Sequence, residues 1–77
     1  MKKGVHDNKY EDLITWLKSV REAKGLTIRD VGRLIDEPHQ LVSKVEKFQR
    51  KLNVYEFVQY CVALEVDPYE GIDILLN

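Results

Sequence analysis

Three helix-start signals follow one another closely along this chain, and their spacing constrains the fold more than any other feature. Thr27 is followed three positions later by Asp30, and Asn53 by Glu56, which is the residue pattern of a capping box. Asp67 directly precedes a proline, a combination that favours a third helix start. The helix that begins after Asn53 must end before the start signal at Asp67, which limits it to about four turns. The chain is therefore predicted to be an all-α domain.

Apolar residues recur at helical spacing between these signals. Gly25 lies just past one such segment, where helices commonly end in the left-handed conformation, and Pro38 ends the next segment and opens another. Residues 1–9 show no such recurrence and are predicted to form a flexible arm, which leaves residues 10–77 as one domain. The five predicted helices cover about 10–24, 28–34, 38–47, 54–64 and 68 to the end.

Composition argues against several classes of protein. A chain of 77 residues with a single cysteine, Cys61, and two histidines offers no internal disulfide and no spaced set of metal ligands. We expect no metal, no cofactor and no enzymatic activity, because no nucleophile with a base and an orienting group can be assembled from these residues. With no long apolar run and no secretory leader, the expected location is the cytoplasm, without membrane association.

Charge is distributed unevenly along the chain. All 12 lysines and arginines lie within residues 1–51, where 8 acidic residues leave a net charge of +4. Residues 52–77 carry 5 acidic residues and no basic ones. Such asymmetry indicates an anionic partner for the basic part, although a solvated surface explains scattered charges equally well.

The predicted helices at 28–34 and 38–47 have the layout of a helix-turn-helix. A tight turn joins them, Gly32 allows close packing midway along the first helix, and the second helix alternates apolar with polar residues. An amphipathic hairpin in any all-helical domain would share this layout. Spacing alone therefore leaves both interpretations open.

Residues 13–76 resemble the Cro/repressor-type (XRE-like) helix-turn-helix family. Arg21–Thr27 is similar to the family's junction of helices 1 and 2, Pro38–Glu46 to its recognition helix, and Ala63–Pro68 to its link between helices 4 and 5. The resemblance implies a compact five-helix domain of the lambda-repressor type. It also implies a transcriptional regulator, commonly a repressor, that binds a palindromic double-stranded DNA operator as a homodimer.

The resemblance further implies which residues contact DNA. The family's recognition helix enters the major groove, where a glutamine can bind adenine and a lysine can bind guanine. The alternative is a set of merely solvated polar residues. By position the base contacts fall on His39, Gln40 and Lys44, and the phosphate contacts fall on Ser43, Lys47, Arg50 and Lys51.

The resemblance also implies one ion pair, and the sequence departs from the family pattern at three positions. The family joins the end of helix 1 to the end of helix 3, which here implies a structural pair between Arg21 and Glu46. Ile28 replaces a glutamine that touches phosphate, and Asp36 and Phe48 stand where glycines are usual. The left-handed conformation is tolerated by Asp at some cost and is disfavoured for a bulky Phe. Either the loop after helix 3 differs from the family's, or Phe48 projects into the core or towards a partner. The replacement of the glutamine by Ile28 removes one phosphate contact.

The C-terminal third is expected to make protein contacts. Ile72, Leu75 and Leu76 add more apolar surface than one core face needs, and they are predicted to form the homodimer interface. A different function stays open at this point. The acidic, aromatic C-terminal third could instead bind a protein partner such as a toxin, which would make the chain an antitoxin-like module with weak or lost DNA binding.

Overall fold

The structure is a computed structural model that describes residues 8–77, and it contains five helices joined by short links. The predicted all-α fold with five helices is confirmed. None of the helices in this part of the chain is long and apolar enough to cross a membrane. The helices are α1 (Asn8–Ala23), α2 (Ile28–Leu34), α3 (His39–Glu46), α4 (Val54–Leu64) and α5 (Pro68–Leu76).

Side-chain caps determine where three of the helices begin. The hydroxyl of Thr27 accepts a hydrogen bond from the amide of Asp30 at 3.0 Å, and the carboxylate of Asp30 accepts one from the amide of Thr27 at 2.8 Å. Asn53 and Glu56 form the same reciprocal pair at 2.8 and 3.0 Å. The carboxylate of Asp67 caps α5 by accepting an amide hydrogen bond at 2.9 Å. Each cap satisfies backbone donors that the first helical turn leaves unpaired.

Two helix starts differ from the sequence-based expectation. α1 includes Asn8 and Lys9, although the polar residues there gave no periodic signal. The rest of the predicted arm, residues 1–7, lies outside the described residues. Pro38 is the N-cap of α3 rather than its first helical residue, with φ −61° and ψ 145°. Proline fixes φ but leaves ψ free, so its presence locates a helix start only to within one residue.

The four links between helices each pass through one residue in the left-handed region. These residues are Gly25, Asp36, Phe48 and Glu65, at φ 71°, 58°, 61° and 57°. Asp36 and Phe48 therefore adopt the conformation expected of the glycines they replace. Phe48 keeps 49% of its surface exposed, so it does not enter the core. The left-handed Glu65 ends α4 without any local sequence signal.

The core is formed by apolar side chains from the first four helices, whereas α5 contributes only a glycine to the fully buried residues. A Cβ atom at Gly71 would lie 2.8 Å from Phe57 Cζ and 2.9 Å from Leu13 Cδ1, so α5 approaches α1 and α4 very closely. Burial raises the pKa of the Cys61 thiol to about 11, which leaves it an inert apolar group. The core residues are Leu13, Ile14, Leu17, Val31, Val42, Val45, Phe57, Tyr60, Cys61 and Leu64.

Candidate nucleic-acid interface

The close approach of α2 to the start of α3 depends on Gly32. This residue is buried, and a Cβ atom built on it would lie 2.9 Å from the carbonyl oxygen of Glu37 and 3.2 Å from His39 Cα. Both neighbours are backbone atoms, which cannot move aside as a side-chain tip can. Close packing of backbone against backbone therefore explains why a small residue is needed midway along α2.

α3 separates its residues into an apolar and a polar face. Val42 and Val45 are fully buried and hold the helix against the rest of the domain. At 3.6 residues per turn, the polar residues occupy an arc of about 140° on the opposite side. This face consists of His39, Gln40, Ser43, Lys44 and Lys47, the last being the C-cap residue.

The structure brings these five residues together but exposes them to different degrees. Gln40, Lys44 and Lys47 are exposed, and each can reach a ligand without rearrangement of the helix. Ser43 is half-buried. His39 is also half-buried, because its backbone packs against Gly32. The outer part of the face is therefore formed by one amide and two ammonium groups.

A buried ion pair fixes α3 relative to α1. Arg21 donates from Nε to one carboxylate oxygen of Glu46 at 2.6 Å and from Nη2 to the other at 3.0 Å. Its Nη1 donates to the carbonyl oxygen of Leu26 at 2.8 Å, which ties in the link between α1 and α2. The two side chains are only 10% and 7% exposed. Hydrogen bonding to Glu46 raises the pKa of Arg21 above its ordinary value, so the guanidinium stays charged despite burial.

The basic loop after α3 is held to α4 and α1 by two of its own cations. Arg50 donates from Nη1 and Nη2 to the two carboxylate oxygens of Glu56, at 2.9 and 2.7 Å. The ammonium of Lys51 lies 5.7 Å from the centre of the Tyr10 ring, within the range of a cation–π interaction. Lys47 is exposed at the other end of this loop. The three cations therefore differ in how readily they could contact an anion.

Glu56 has two roles, of which the sequence pattern indicated only one. Its capping function was predicted from Asn53, three residues earlier, but its pairing with Arg50 was not. The hydrogen bonds from Arg50, and then that from the Asn53 amide, lower the pKa of Glu56 from 4.5 to about 2. The sequence does show that Glu56 lies close to the basic loop. It does not show which cation of the loop Glu56 contacts, because that depends on the path of the loop. The contact between Tyr10 and Lys51 was not predicted for the same reason.

The backbone packing of α2 on α3 and the exposed polar face of α3 define a helix-turn-helix domain within a five-helix fold. A helix-turn-helix family model matches residues 17–70 of the chain. An XRE-family like protein from Pseudomonas syringae pv. tomato str. DC3000 is 32% identical, with a TM-score of 0.85 over 94% of this chain and 88% of that chain. This chain belongs to the XRE-like helix-turn-helix family.

Two further solved structures share the fold at lower identity. The clp gene regulator ClgR from C. glutamicum is 20% identical, with a TM-score of 0.77 over 88% of each chain. The restriction-modification controller protein C.AhdI from Aeromonas hydrophila is 24% identical, with a TM-score of 0.76 over 86% of this chain and 98% of that chain. No curated protein sequence matches the chain significantly. These two likenesses are evidence for the fold alone, over 88% and 86% of this chain.

Proposed function

We propose that this protein is a transcriptional regulator that binds operator DNA as a homodimer, with α3 in the major groove. The observation that carries the proposal is the solvent-facing polar side of α3, held in place by the buried pair of Arg21 and Glu46. Gln40 and Lys44 have the chemistry to bind adenine and guanine edges. A protein that controls transcription in this way acts in the cytoplasm, and repression by occlusion of polymerase is its simplest mode.

The contacts divide into those that read bases and those that hold the backbone. Gln40 and Lys44, with His39 at the helix start, are assigned to base edges. Ser43 and Lys47 on the polar face of α3, and Lys51 in the loop that follows it, are assigned to phosphates, which fix register without reading sequence. Arg50, the fourth residue expected to contact phosphate, is already bound to Glu56.

Selection from a random duplex library, followed by sequencing, tests this assignment. The wild-type protein is expected to enrich an inverted repeat with half-sites about one helical turn apart. Gln40→Ala and Lys44→Ala should each relax the preference at one position of the half-site, with a loss of about 1 to 3 kcal/mol. Lys47→Ala should weaken binding to all sequences alike and lower the salt slope by about one.

Lys18→Ala is the matched control, because Lys18 is an exposed lysine that belongs to α1 and not to α3 or the basic loop. It should leave both the selected sequence and the salt slope unchanged. If wild-type protein enriches no sequence and its affinity for duplex DNA does not depend on salt, the proposed function is wrong.

We assign the binding of a second copy of the chain to α5, because three of its large apolar side chains are exposed. Ile72, Leu75 and Leu76 are 38%, 40% and 73% exposed, which is unusual for large apolar residues on one short helix. A two-fold axis at this helix would place the two recognition helices about 34 Å apart, one turn of duplex. Two domains would also supply the contact area that one small domain lacks.

Leu76→Asp tests the dimer, since Leu76 is mostly exposed and its replacement should not disturb the fold. The variant is expected to sediment as a monomer with unchanged helix content and to lose the preference for inverted repeats. Val62→Asp is the control, because Val62 on α4 is 69% exposed but lies outside the assigned interface. A Leu76→Asp protein that remains dimeric would contradict the assignment, and a monomeric Val62→Asp protein would extend the interface to α4.

A further inference from the structure

The pair formed by Arg50 and Glu56 has a geometry that few surface ion pairs possess. Two nitrogens of the guanidinium contact two oxygens of the carboxylate, at 2.9 and 2.7 Å, in the parallel arrangement that matches these two planar groups. Nη1 also donates to the carbonyl oxygen of Lys51 at 3.2 Å. Both terminal nitrogens of Arg50 are thus already used within the domain.

Glu56 is held in place independently of Arg50. Its carboxylate accepts the amide hydrogen bond of Asn53 at 3.0 Å, and its own amide donates to the Asn53 side chain at 2.8 Å. This capping box fixes the side chain over the first turn of α4 whether or not Arg50 is present. A preorganised carboxylate loses little conformational entropy when it binds a guanidinium, so the pair is stronger than a typical exposed one.

Unlike Arg50, the neighbouring lysines of the basic loop have no carboxylate partner in the part of the chain that the structure describes. Within residues 8–77, no carboxylate lies within ion-pair distance of Lys47 or Lys51. A phosphate could therefore contact either ammonium without displacing an anion. A phosphate that approached the two terminal nitrogens of Arg50 would have to replace a carboxylate that already makes both hydrogen bonds. The remaining N–H groups, on Nε and Nη2, belong to a cation whose charge Glu56 already neutralises, so a phosphate gains less there than at either lysine.

We propose that Glu56 keeps Arg50 out of contact with DNA, so that the basic loop offers a duplex only Lys47 and Lys51 as phosphate-binding cations. Arg50 is then a positioning residue, which fastens the loop to the start of α4. This inference rests on the proposed DNA-binding function. It replaces the expectation, drawn from the family resemblance, that Arg50 contacts phosphate.

The test measures how the affinity for a fluorescein-labelled, random-sequence duplex of about 20 base pairs depends on salt, by anisotropy. Arg50→Ala is expected to leave the slope of log affinity against log salt at the wild-type value, whereas Lys47→Ala lowers its magnitude by about 0.9. Glu56→Gln is expected to raise the magnitude by about 0.9 and to tighten binding at low salt, because Arg50 is released. Glutamine at this position still closes a capping box, so α4 keeps its start.

Two controls separate release of Arg50 from a simple change of net charge. Glu37→Gln removes one negative charge that acts on Arg50 through space only, and it should change the slope by much less than Glu56→Gln. In the double variant with Arg50→Ala and Glu56→Gln, the increase in slope and in affinity expected for Glu56→Gln should disappear.

The inference is overturned if Arg50→Ala lowers the slope as Lys47→Ala does, or if Glu56→Gln leaves it unchanged. Either result would leave the DNA-binding function itself intact. A wild-type protein without salt-dependent affinity for the duplex would instead overturn the proposed function, and the inference with it. The Arg50→Ala measurement does not depend on the stability of the Glu56 variants, so it tests the inference even if those variants fail to fold.

Discussion

The pairs α2–α3 and α4–α5 belong to one small domain, yet they present opposite kinds of surface. α3 packs its apolar residues against the domain and exposes amide and ammonium groups. α5 buries only Gly71 fully and packs Ile74 partly against the core, and it leaves Ile72, Leu75 and Leu76 exposed. The exposed apolar residues of α4 and α5 are Val54, Tyr55, Val58, Val62, Tyr69, Ile72, Leu75 and Leu76.

The contacts that hold α3 and α5 against the rest of the domain differ as well. α3 is fixed by contacts with strict geometry: two hydrogen bonds from Arg21 to Glu46, and the approach of backbone to Gly32. α5 is placed by the tips of Phe57 and Leu13 around Gly71. Directional contacts fail sharply when altered, whereas side-chain tips can adjust. We therefore expect substitutions to be costly at the first pair and mild at the second.

The largest effect is expected at the buried ion pair. Arg21→Ala or Glu46→Ala leaves an uncompensated charge in a buried position and should lower the free energy of unfolding by about 3 kcal/mol in urea titrations. Arg33→Ala is the control, because Arg33 and Asp30 also lie 2.6 Å apart but the Arg33 side chain is 74% exposed. That change should cost no more than about 0.5 kcal/mol.

A double-mutant cycle then tests whether Arg21 and Glu46 act together. The double variant should be destabilised by much less than the sum of the two single effects, since neither charge is left alone. Simple additivity would mean that the pair does not fix α3. Replacing both residues by apolar ones of similar size, Arg21→Met with Glu46→Leu, should recover most of the stability while leaving α3 less precisely oriented.

The second effect compares the two glycines at the helix contacts. Gly32→Ala forces backbone atoms of Glu37 and His39 apart and should lower the free energy of unfolding by about 2 kcal/mol, with a parallel loss of DNA affinity. Gly71→Ala meets only side-chain tips, and the higher helix propensity of alanine offsets the crowding, so its net change should stay within about 1 kcal/mol. Equal losses at both positions would contradict the distinction drawn between the two helix pairs.

A smaller effect of opposite sign is expected at Tyr60, where α4 lies against the core. Its hydroxyl is buried and has no hydrogen-bond partner among residues 8–77, and burial raises the pKa of the phenol above its ordinary value. Tyr60→Phe should therefore raise the free energy of unfolding by about 1 kcal/mol, measured by thermal denaturation. Tyr55→Phe on the exposed side of α4 should change nothing. A destabilised Tyr60→Phe protein would indicate a bond from this hydroxyl to the Arg21 and Glu46 pair.

The smallest effect is a pH dependence at the start of α4. The pKa of Glu56 is about 2 in the folded protein against an ordinary 4.5, so its contribution to stability is complete above pH 4.5 and is lost as pH falls towards 2. The difference in unfolding free energy between wild type and Glu56→Gln should be constant at neutral pH and shrink below pH 4.5. A difference that stays constant with pH would show that Arg50 does not stabilise the charged carboxylate.

The sequence predicted local structure well because its signals act within one turn of helix. Thr27 with Asp30, and Asn53 with Glu56, specify their helix starts through bonds between residues only three apart. The polar start of α1 gave no comparable signal, since Asn8 and Lys9 neither cap a helix nor join an apolar stripe.

Contacts between distant residues could not be derived in the same way. Spacing alone does not show that Arg50 reaches Glu56 rather than solvent, because this depends on the course of a loop that contains the left-handed Phe48. The contact of Lys51 with Tyr10 joins the loop after α3 to α1, and no local sequence pattern predicts it. The pairing of Arg21 with Glu46 was accessible only through the family resemblance.

The left-handed links also bear on how long such a protein persists. Asp36 and Glu65 occupy a conformation that costs a non-glycine residue about 1 kcal/mol, so glycine at either position would raise the free energy of unfolding by a similar amount. The unfolded fraction sets how often proteases reach the chain, and a tenfold change in that fraction needs only about 1.4 kcal/mol. Asp36 and Glu65, whose side chains are not part of the polar face of α3, thus offer a way to lengthen the lifetime of the protein without replacing a residue of that face.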